Sequence, residues 1–257
     1  MSLLFQGDRF PSVTTSQILL RRHNPQSVIK ADGIFGPRTA GAVREFQKFH
    51  RLTQDGKIGK NTWGAFTAVS RFETIDVVDG TDPSLIAFEA ADLRAAGFDP
   101  IIVFGMSNGV DVVMNAIANK ASAGNVMLLR FHGHGNKGLQ NVTGGEIDGA
   151  PHLAGISVDN FDQVKASLAK ITDRFVQFGS VQMLGCEVGG GKGPILMRRL
   201  ADTWGVPVTA GRHTQFAGGS ATFRFEGTTV TGFPGGASLA GWAQAMETAH
   251  GNVSMST

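Results

Sequence analysis

The chain has 257 residues, of which 42% are hydrophobic and 17% charged, with a net charge of +2. That composition excludes a disordered or fibrous protein and fits one large or two smaller packed domains. A single cysteine excludes an internal disulfide, and no apolar run approaches the ~18 residues that suggest a membrane span.

Charge is unevenly placed. Residues 1–70 hold ten basic and four acidic side chains, a balance of +6, so the remainder carries −4. A boundary near residue 70 is expected, with one domain over 1–70 and another over 71–257. A basic module on a mildly acidic body suits contact with an anionic polymer. The first ten residues lack the basic start, long apolar core and small-residue cleavage site of an ordinary signal peptide, so an export route is not visible.

In chain order, "TTSQILLRRH", "GPRTAGAVREFQKFH" and "KNTWGAFTAV" read as three short helices. The second places Val43, Phe46, Phe49 and His50 at helical spacing and has Pro37 suited to a first turn. Asn61 or Thr62 is expected to cap the third. Between the helices lie "ADGIFG" and "QDGKIG", two copies of one D-G-x-x-G turn, whose Gly33 and Gly56 can take a positive φ.

The stretch "DGIFGPRTAGAVREFQKFHRLTQDGKIGKNTWGAF" resembles the peptidoglycan-binding domain 1 family, a three-helix module appended to cell-wall enzymes. The D-G-x-F-G-x-x-T start, the A-V-x-x-F-Q centre and the D-G-x-x-G-x-x-T-W end carry the resemblance. It implies that the anionic polymer is peptidoglycan, with no nucleic acid as partner. It also implies a bacterial cell-envelope or extracellular location. It does not name the binding residues, because Phe46, Trp63 and the glycines have helical and turn roles of their own.

From Glu73 the grammar changes to strands alternating with amphipathic helices. "TIDVVD", "PIIVFG", "NVMLLRF", "SVQMLG" and "VPVTAG" read as strands. "PSLIAFEAADLRAAG", "GVDVVMNAIANKA", "NFDQVKASLAKITDRF" and "GPILMRRLADTWG" read as the helices between them. The strands are continuously apolar, as parallel strands covered on both faces must be. Repeated βα units predict an open, mostly parallel sheet in a three-layer α/β domain. "ATFRFEGTTVTGF" reads as a terminal hairpin and "ASLAGWAQAMETAH" as a closing helix.

In open sheets of this kind the ligand crevice lies beyond the carboxyl ends of the strands. His134 follows the strand ending at Phe131, and Cys186 follows the next, ending at Gly185. Sequential strands are usually neighbours, so the two side chains can share one rim. A thiol becomes a strong nucleophile once deprotonated, which an imidazole assists. Flanking glycines let main-chain N–H groups approach an oxyanion, and Gly135 and Cys186 are the candidates for that role.

"RFHGHGNKG" resembles the S-H-G-x-x-G and G-H-G segments of caspases and CHAT-type peptidases. "VQMLGCEVGGG" resembles their strand ending in A-C. The resemblance implies the caspase–haemoglobinase fold and a cysteine endopeptidase. His134, not His132, aligns with the family's histidine, and Cys186 with its nucleophile. Peptide or protein is then the substrate, with no cofactor and no metal. No acid obviously fills a pocket for the residue before the cleaved bond. His132, Glu187, Arg212 and His213, with Gln215 beside the last two, are candidates to line a substrate groove.

Two alternatives stand beside this reading. One is a non-catalytic peptidoglycan-binding protein whose degenerate caspase-like domain binds a partner. The other is an amidase or endopeptidase acting on peptidoglycan itself. Other motifs fail on spacing: the two histidines of "HGH" lack a third zinc ligand nearby. Ser107 in "GMSNG" has too few strands before it for a hydrolase elbow and suits a helix cap. "VGGGKGP" lacks the glycine and hydroxyl of a phosphate loop. His152, like His213, is expected in a loop.

Overall fold

The computed structural model describes residues 3–104, 108–143 and 154–250. Ser107 and His152 lie outside the described residues. The chain forms two compact units. The first is Met1–Phe72 with Gln177–Gly179 and Ala237–Thr257; the second is Glu73–Val176 with Ser180–Gly236. Among the described residues no helix is long and apolar enough to cross a membrane.

The first unit contains α1 (Pro11–His23), α2 (Pro37–Phe49), α3 (Lys60–Ser70) and the closing helix α9 (Leu239–His250). Its buried side chains include Ile18, Phe35, Val43, Phe46, Trp63 and Phe66, all at most 1% exposed. The helix α9, last in sequence, belongs with these N-terminal helices. Glu247 ties it there, pairing with Arg21 and accepting the Ala31 N–H at 2.8 Å. Neither Asn61 nor Thr62 caps α3. Its cap position is Gly59, and the Thr62 hydroxyl instead donates to the Lys57 carbonyl.

A buried glutamine organises each D-G-x-x-G turn. Gln17 Nε2 donates to Asp32 Oδ1, the Ile34 carbonyl and Thr39 Oγ1, while its Oε1 accepts from Gly33 N. Gln47 repeats the pattern with Asp55 Oδ1, the Lys57 carbonyl, Thr62 Oγ1 and Gly56 N. Every hydrogen-bonding atom of each amide is directed at the turn it supports, as a buried amide requires. Gly33 and Gly56 have φ of 76° and 71°, the left-handed conformation expected of them.

The second unit is built on a six-stranded sheet in the order β2-β1-β3-β7-β8-β9. The strands are β1 (Glu73–Asp79), β2 (Ile101–Val103), β3 (Val126–His132), β7 (Phe175–Met183), β8 (Val208–Gly211) and β9 (Thr229–Gly232). All neighbours run parallel except β8 and β9. A small antiparallel sheet, β4 (Gly135–Asn136), β5 (Leu139–Asn141) and β6 (Gly155–Ser157), follows β3. The sequence carried no clear sign of it, because its strands are two or three residues long.

Strand alternation assigns the two faces. Ile75, Val77, Leu129, Phe131, Val181 and Met183 share a core with α6 (Gly109–Lys120), α7 (Phe161–Ala169) and α8 (Gly193–Trp204). Val78 packs on the other face against Leu85, Ala90 and Leu93. These come from α4 (Pro83–Leu85), a π-helical turn (Ile86–Ala90) and α5 (Ala91–Ala95). Two expected elements differ. The helix read over 160–175 stops at Ala169, and Phe175 already begins β7. Residues 221–233 are not a hairpin: Ala221–Phe223 is a short 3-10 turn, and β9 pairs with β8. Phe225 is buried in loop, so the apolar alternation came from loop residues that pack inward.

Candidate functional site

Four strand ends meet at one rim of the sheet. His134 comes after β3, Cys186 after β7, His213 and Gln215 after β8, and Asp82 after β1. β3 and β7 are paired in parallel, with Phe131 opposite Met183. Beyond that register the two chains stay in touch. A Cβ added at Gly135 would sit 2.6 Å from Val188 Cγ2 and 2.9 Å from Cys186 N. One added at Gly185 would sit 3.0 Å from the His134 carbonyl oxygen. Only glycine permits this approach. Gln140, fully buried on β5, fixes it further by accepting the Gly185 N–H at 3.0 Å.

His134 is exposed on the rim, and its Nε2 lies 2.6 Å from Asp82 Oδ2. Asp82 is the N-cap of α4, where its other oxygen accepts from Ser84 N and Oγ. Those hydrogen bonds from Ser84, with the one from His134, hold the Asp82 carboxyl below the usual range. Cys186 is partly buried. Its Sγ donates to the Gln215 carbonyl at 3.3 Å and accepts from Gln215 N at 3.4 Å. Among the described residues its thiol thus bonds to the main chain of the β8 loop and not to His134.

Glu187 has φ of 56°, left-handed and uncommon for a residue with a Cβ. Its N–H is held by the His213 carbonyl at 2.9 Å. The chain therefore turns sharply out of the sheet right after Cys186. His213 and Arg212 are exposed in the neighbouring loop, with His213 Nε2 on Thr228 Oγ1. Gln215 clamps that loop through its side chain, bonding to the His213 and Glu226 carbonyls and to Glu226 N.

His132 sits beneath the rim rather than on it, 1% exposed. Its Nε2 meets Asp76 Oδ1 at 3.0 Å and its Nδ1 faces Glu89 Oε2 at 3.5 Å. Arg130 Nε donates to the same Asp76 oxygen at 2.6 Å, and its guanidinium lies over the Phe223 ring. Burial alone would lower the His132 pKa. Hydrogen bonds and charges from Asp76 and Glu89 outweigh it and the net shift is upward. Burial likewise opposes the charge on Asp76, but Arg130 and His132 hold its carboxyl well below the usual range. Arg130 and His132 thus both face buried carboxylates, the partners a buried cationic group requires. His132 meets its two carboxylates through opposite ring nitrogens, so the three do not converge on a metal position. Among the described residues no group of three such side chains does.

One segment therefore serves both histidines of "HGH". Asp82 at its start holds His134, and Glu89 in its π turn faces His132. π turns recur at functional sites because the extra residue re-aims side chains. Sequence reasoning missed Asp76, Asp82 and Glu89; it placed Gln215 beside Arg212 and His213 as a groove residue, but not its main-chain bonds to the Cys186 thiol. The available signal was a lone acid in "TIDVVD" and a lone base in "NVMLLRF": opposite charges in strands buried on both faces have to pair.

The molecule thus combines an N-terminal helical region with an α/β domain on a mostly parallel six-stranded sheet. Residues 10–66 match the family described as "Putative peptidoglycan binding domain". Among solved structures, the chain is similar to a peptidoglycan-binding protein from Clostridioides difficile, crystallised in complex with glutamine hydroxamate. That match has 32% identity, covers 25% of this chain and 40% of the other, and has a TM-score of 0.24. The chain thus spans less than half the length of that relative. The N-terminal module expected from the two D-G-x-x-G turns is supported by the family match.

Proposed function

We propose that this chain is a cysteine peptidase of caspase-like type, directed to the bacterial cell wall by its N-terminal domain. The observation that carries the peptidase reading is the rim itself. The main chains of His134–Gly135 and Gly185–Cys186 abut at neighbouring strand ends, and a carboxylate holds the imidazole. The parallel order with a single antiparallel edge strand supports it. The wall-binding part rests on the family match at residues 10–66 and on the +6 balance of residues 1–70.

In this reading Asp82 keeps His134 oriented through Nε2, which leaves Nδ1 for chemistry. The thiol proton passes to His134 as Sγ attacks the peptide carbonyl carbon. The carbonyl oxygen takes the electron pair, and the Gly135 and Cys186 N–H groups are its proposed donors. Collapse of that intermediate breaks the C–N bond, and His134 returns its proton to the leaving amine. Water then hydrolyses the thioester, releasing the acid and the free thiol. Glu187, Arg212 and His213 remain the proposed groove residues, since all three border the rim. His132 acts from below, as a support for the segment that carries Asp82.

One observation favours a second reading, a non-catalytic wall-binding protein. The Cys186 thiol is capped by Gln215 main chain on both its donor and acceptor sides. The experiment is a cleavage profile. The purified chain and Cys186→Ala are incubated with a mixed peptide library, and the products are read by mass spectrometry. Cuts made by the first and absent with the second support the peptidase. Identical libraries after both support the binding protein.

A further inference from the structure

The duplicated turn has a feature that the peptidase chemistry leaves unused: each copy opens a cleft. One, of about 380 Å³, lies among Lys30, Asp32, Ile34 and Arg38, with the buried Gln17 and Thr39 beneath. The other, of about 190 Å³, lies among Asp55, Lys57, Lys60 and Asn61, with the buried Gln47 and Thr62 beneath. The same step along the chain carries Asp32 to Asp55, Gly36 to Gly59 and Thr39 to Thr62. One cleft is built twice on one hydrogen-bonded frame.

The side chains at the two mouths differ, but their chemistry is the same. Lys30 and Arg38 border the first, and Lys57 and Lys60 the second. The single acid in each is tied to its own turn through Oδ1. Oδ1 of Asp32 accepts from Gln17 and from Ile34 N, and Oδ1 of Asp55 accepts from Gln47 and from Lys57 N. Two cations against one engaged carboxylate leave each cleft positive. The helices that begin there, α2 and α3, have glycine at the cap, no side-chain cap bond and no acid in the first turn. No internal carboxylate of those turns competes for the cations.

We infer that the two clefts are paired binding sites for the carboxylates of peptidoglycan stem peptides. This rests on the wall-binding reading above and adds where the wall is held and by which chemistry. An uncharged glycan would make no use of a cation pair at each mouth, whereas a peptide carboxylate would. Two modest sites on one module grip a polymer by avidity, without either being tight alone.

The test uses the full chain and four probes. These are purified sacculi, sacculi stripped of teichoic acid, the soluble disaccharide–tetrapeptide, and that muropeptide with its carboxylates amidated. The variants are Lys30→Ala with Arg38→Ala, Lys57→Ala with Lys60→Ala, and all four together. Arg9→Ala with Lys48→Ala removes equal charge from positions that line neither cleft. Thermal melts check that each variant is folded. Each cleft pair is expected to weaken binding to sacculi about 3- to 10-fold, the scale of exposed ion pairs, and to halve the number of soluble muropeptides bound per chain. On sacculi the fourfold variant should lose about the product and the control should stay within about twofold, while amidated muropeptide should bind the wild type as poorly as native muropeptide binds the fourfold variant. Equal weakening by the control, or full binding of the amidated probe, overturns the clefts. So does binding that survives on untreated sacculi and vanishes on stripped ones, which would assign it to phosphates. Wild-type chain that fails to pellet with sacculi overturns the wall reading as well. Wild-type pelleting that the cleft variants leave unchanged overturns the clefts alone.

Discussion

Asp82 Oδ2 stands 2.6 Å from Nε2 of His134, although the two residues are 52 positions apart in the chain. The carboxylate is itself fixed at a helix start by Ser84, so it arrives oriented. A histidine on an exposed loop would otherwise sample several rotamers. Asp82 therefore fixes one imidazole nitrogen in place, and in the proposed mechanism the other serves the thiol.

Replacing Asp82 with asparagine should keep the helix cap but weaken the grip on His134. In a peptide-cleavage assay Asp82→Asn is expected to lower kcat by about 10-fold with little change in KM. His134→Ala should lower it by at least about 10²-fold, the usual scale for lost acid–base help. His132→Ala should act through stability or KM. Equal kcat for Asp82→Asn and the wild type would remove Asp82 from the mechanism, and a larger kcat loss in His132→Ala than in His134→Ala would move the catalytic role down the strand.

The buried cluster has a definite pH signature. The folded-state pKa of His132 lies above its ordinary value of 6.5. The native state therefore binds more protons than the unfolded state between those two values. Its contribution is full below about pH 6.5 and is lost as pH rises through the folded value. Urea melts of the second unit, followed by Trp204 with Trp63 and Trp242 changed to Phe, should show a midpoint falling over that window. His132→Gln should flatten the slope. A midpoint that rises with pH, or a slope unchanged in the variant, would mean His132 is neutral in the fold.

The first unit should respond in the opposite sense. Burial, with the charge of nearby His50, lowers the His23 pKa, and burial lowers that of His50. Their stabilisation is present above the ordinary histidine value and is lost as pH falls through the depressed folded values. Exchange protection of α2 amides, corrected for intrinsic rates, is expected to drop below about pH 6. Protection that grows on acidification would contradict it.

The glutamine hubs should be the costliest polar side chains of the first unit. Gln47→Ala leaves Gly56 N, Thr62 Oγ1 and Asp55 Oδ1 each short of a partner. A loss of about 2–4 kcal/mol is expected from equilibrium unfolding, with Gln17→Ala similar. A loss under about 0.5 kcal/mol, the range of ordinary surface changes, would show that the turns hold themselves.

Gln215 caps the Cys186 thiol with its main chain while its side chain pins the loop to Glu226. Gln215→Ala should free the loop and speed iodoacetamide alkylation of Cys186 by about 5-fold or more, as local opening becomes easier. An unchanged rate would show that the cap does not depend on the clamp.

Much of this was legible in the sequence because its signals are local. Continuous apolar runs gave the parallel strands, and the glycine copies gave the turns. Their ends gave the addresses of His134 and Cys186. The missing parts are long-range. Asp82 and Glu89 lie about two turns apart on one helical segment. Nothing in "DPSLIAFEAADLRAAG" says which strand end each faces. The aromatic alternation of "ATFRFEG" imitates a strand, yet Phe223 covers the Arg130 guanidinium instead. Gln47 stands in the A-V-x-x-F-Q motif, but nothing local there or at Gln17 says that the amide fills a turn.

The central claim is that Cys186 is a nucleophile served by His134. Its most direct test is active-site titration with a peptidyl acyloxymethyl ketone series, read by intact-protein mass spectrometry. The expected result is one adduct per chain at Cys186, formed faster with some peptides than others, absent in Cys186→Ala and strongly slowed in His134→Ala. Labelling that is slow, indifferent to the peptide and unchanged by His134→Ala would mean that Cys186 is an ordinary thiol and that the domain binds rather than cleaves.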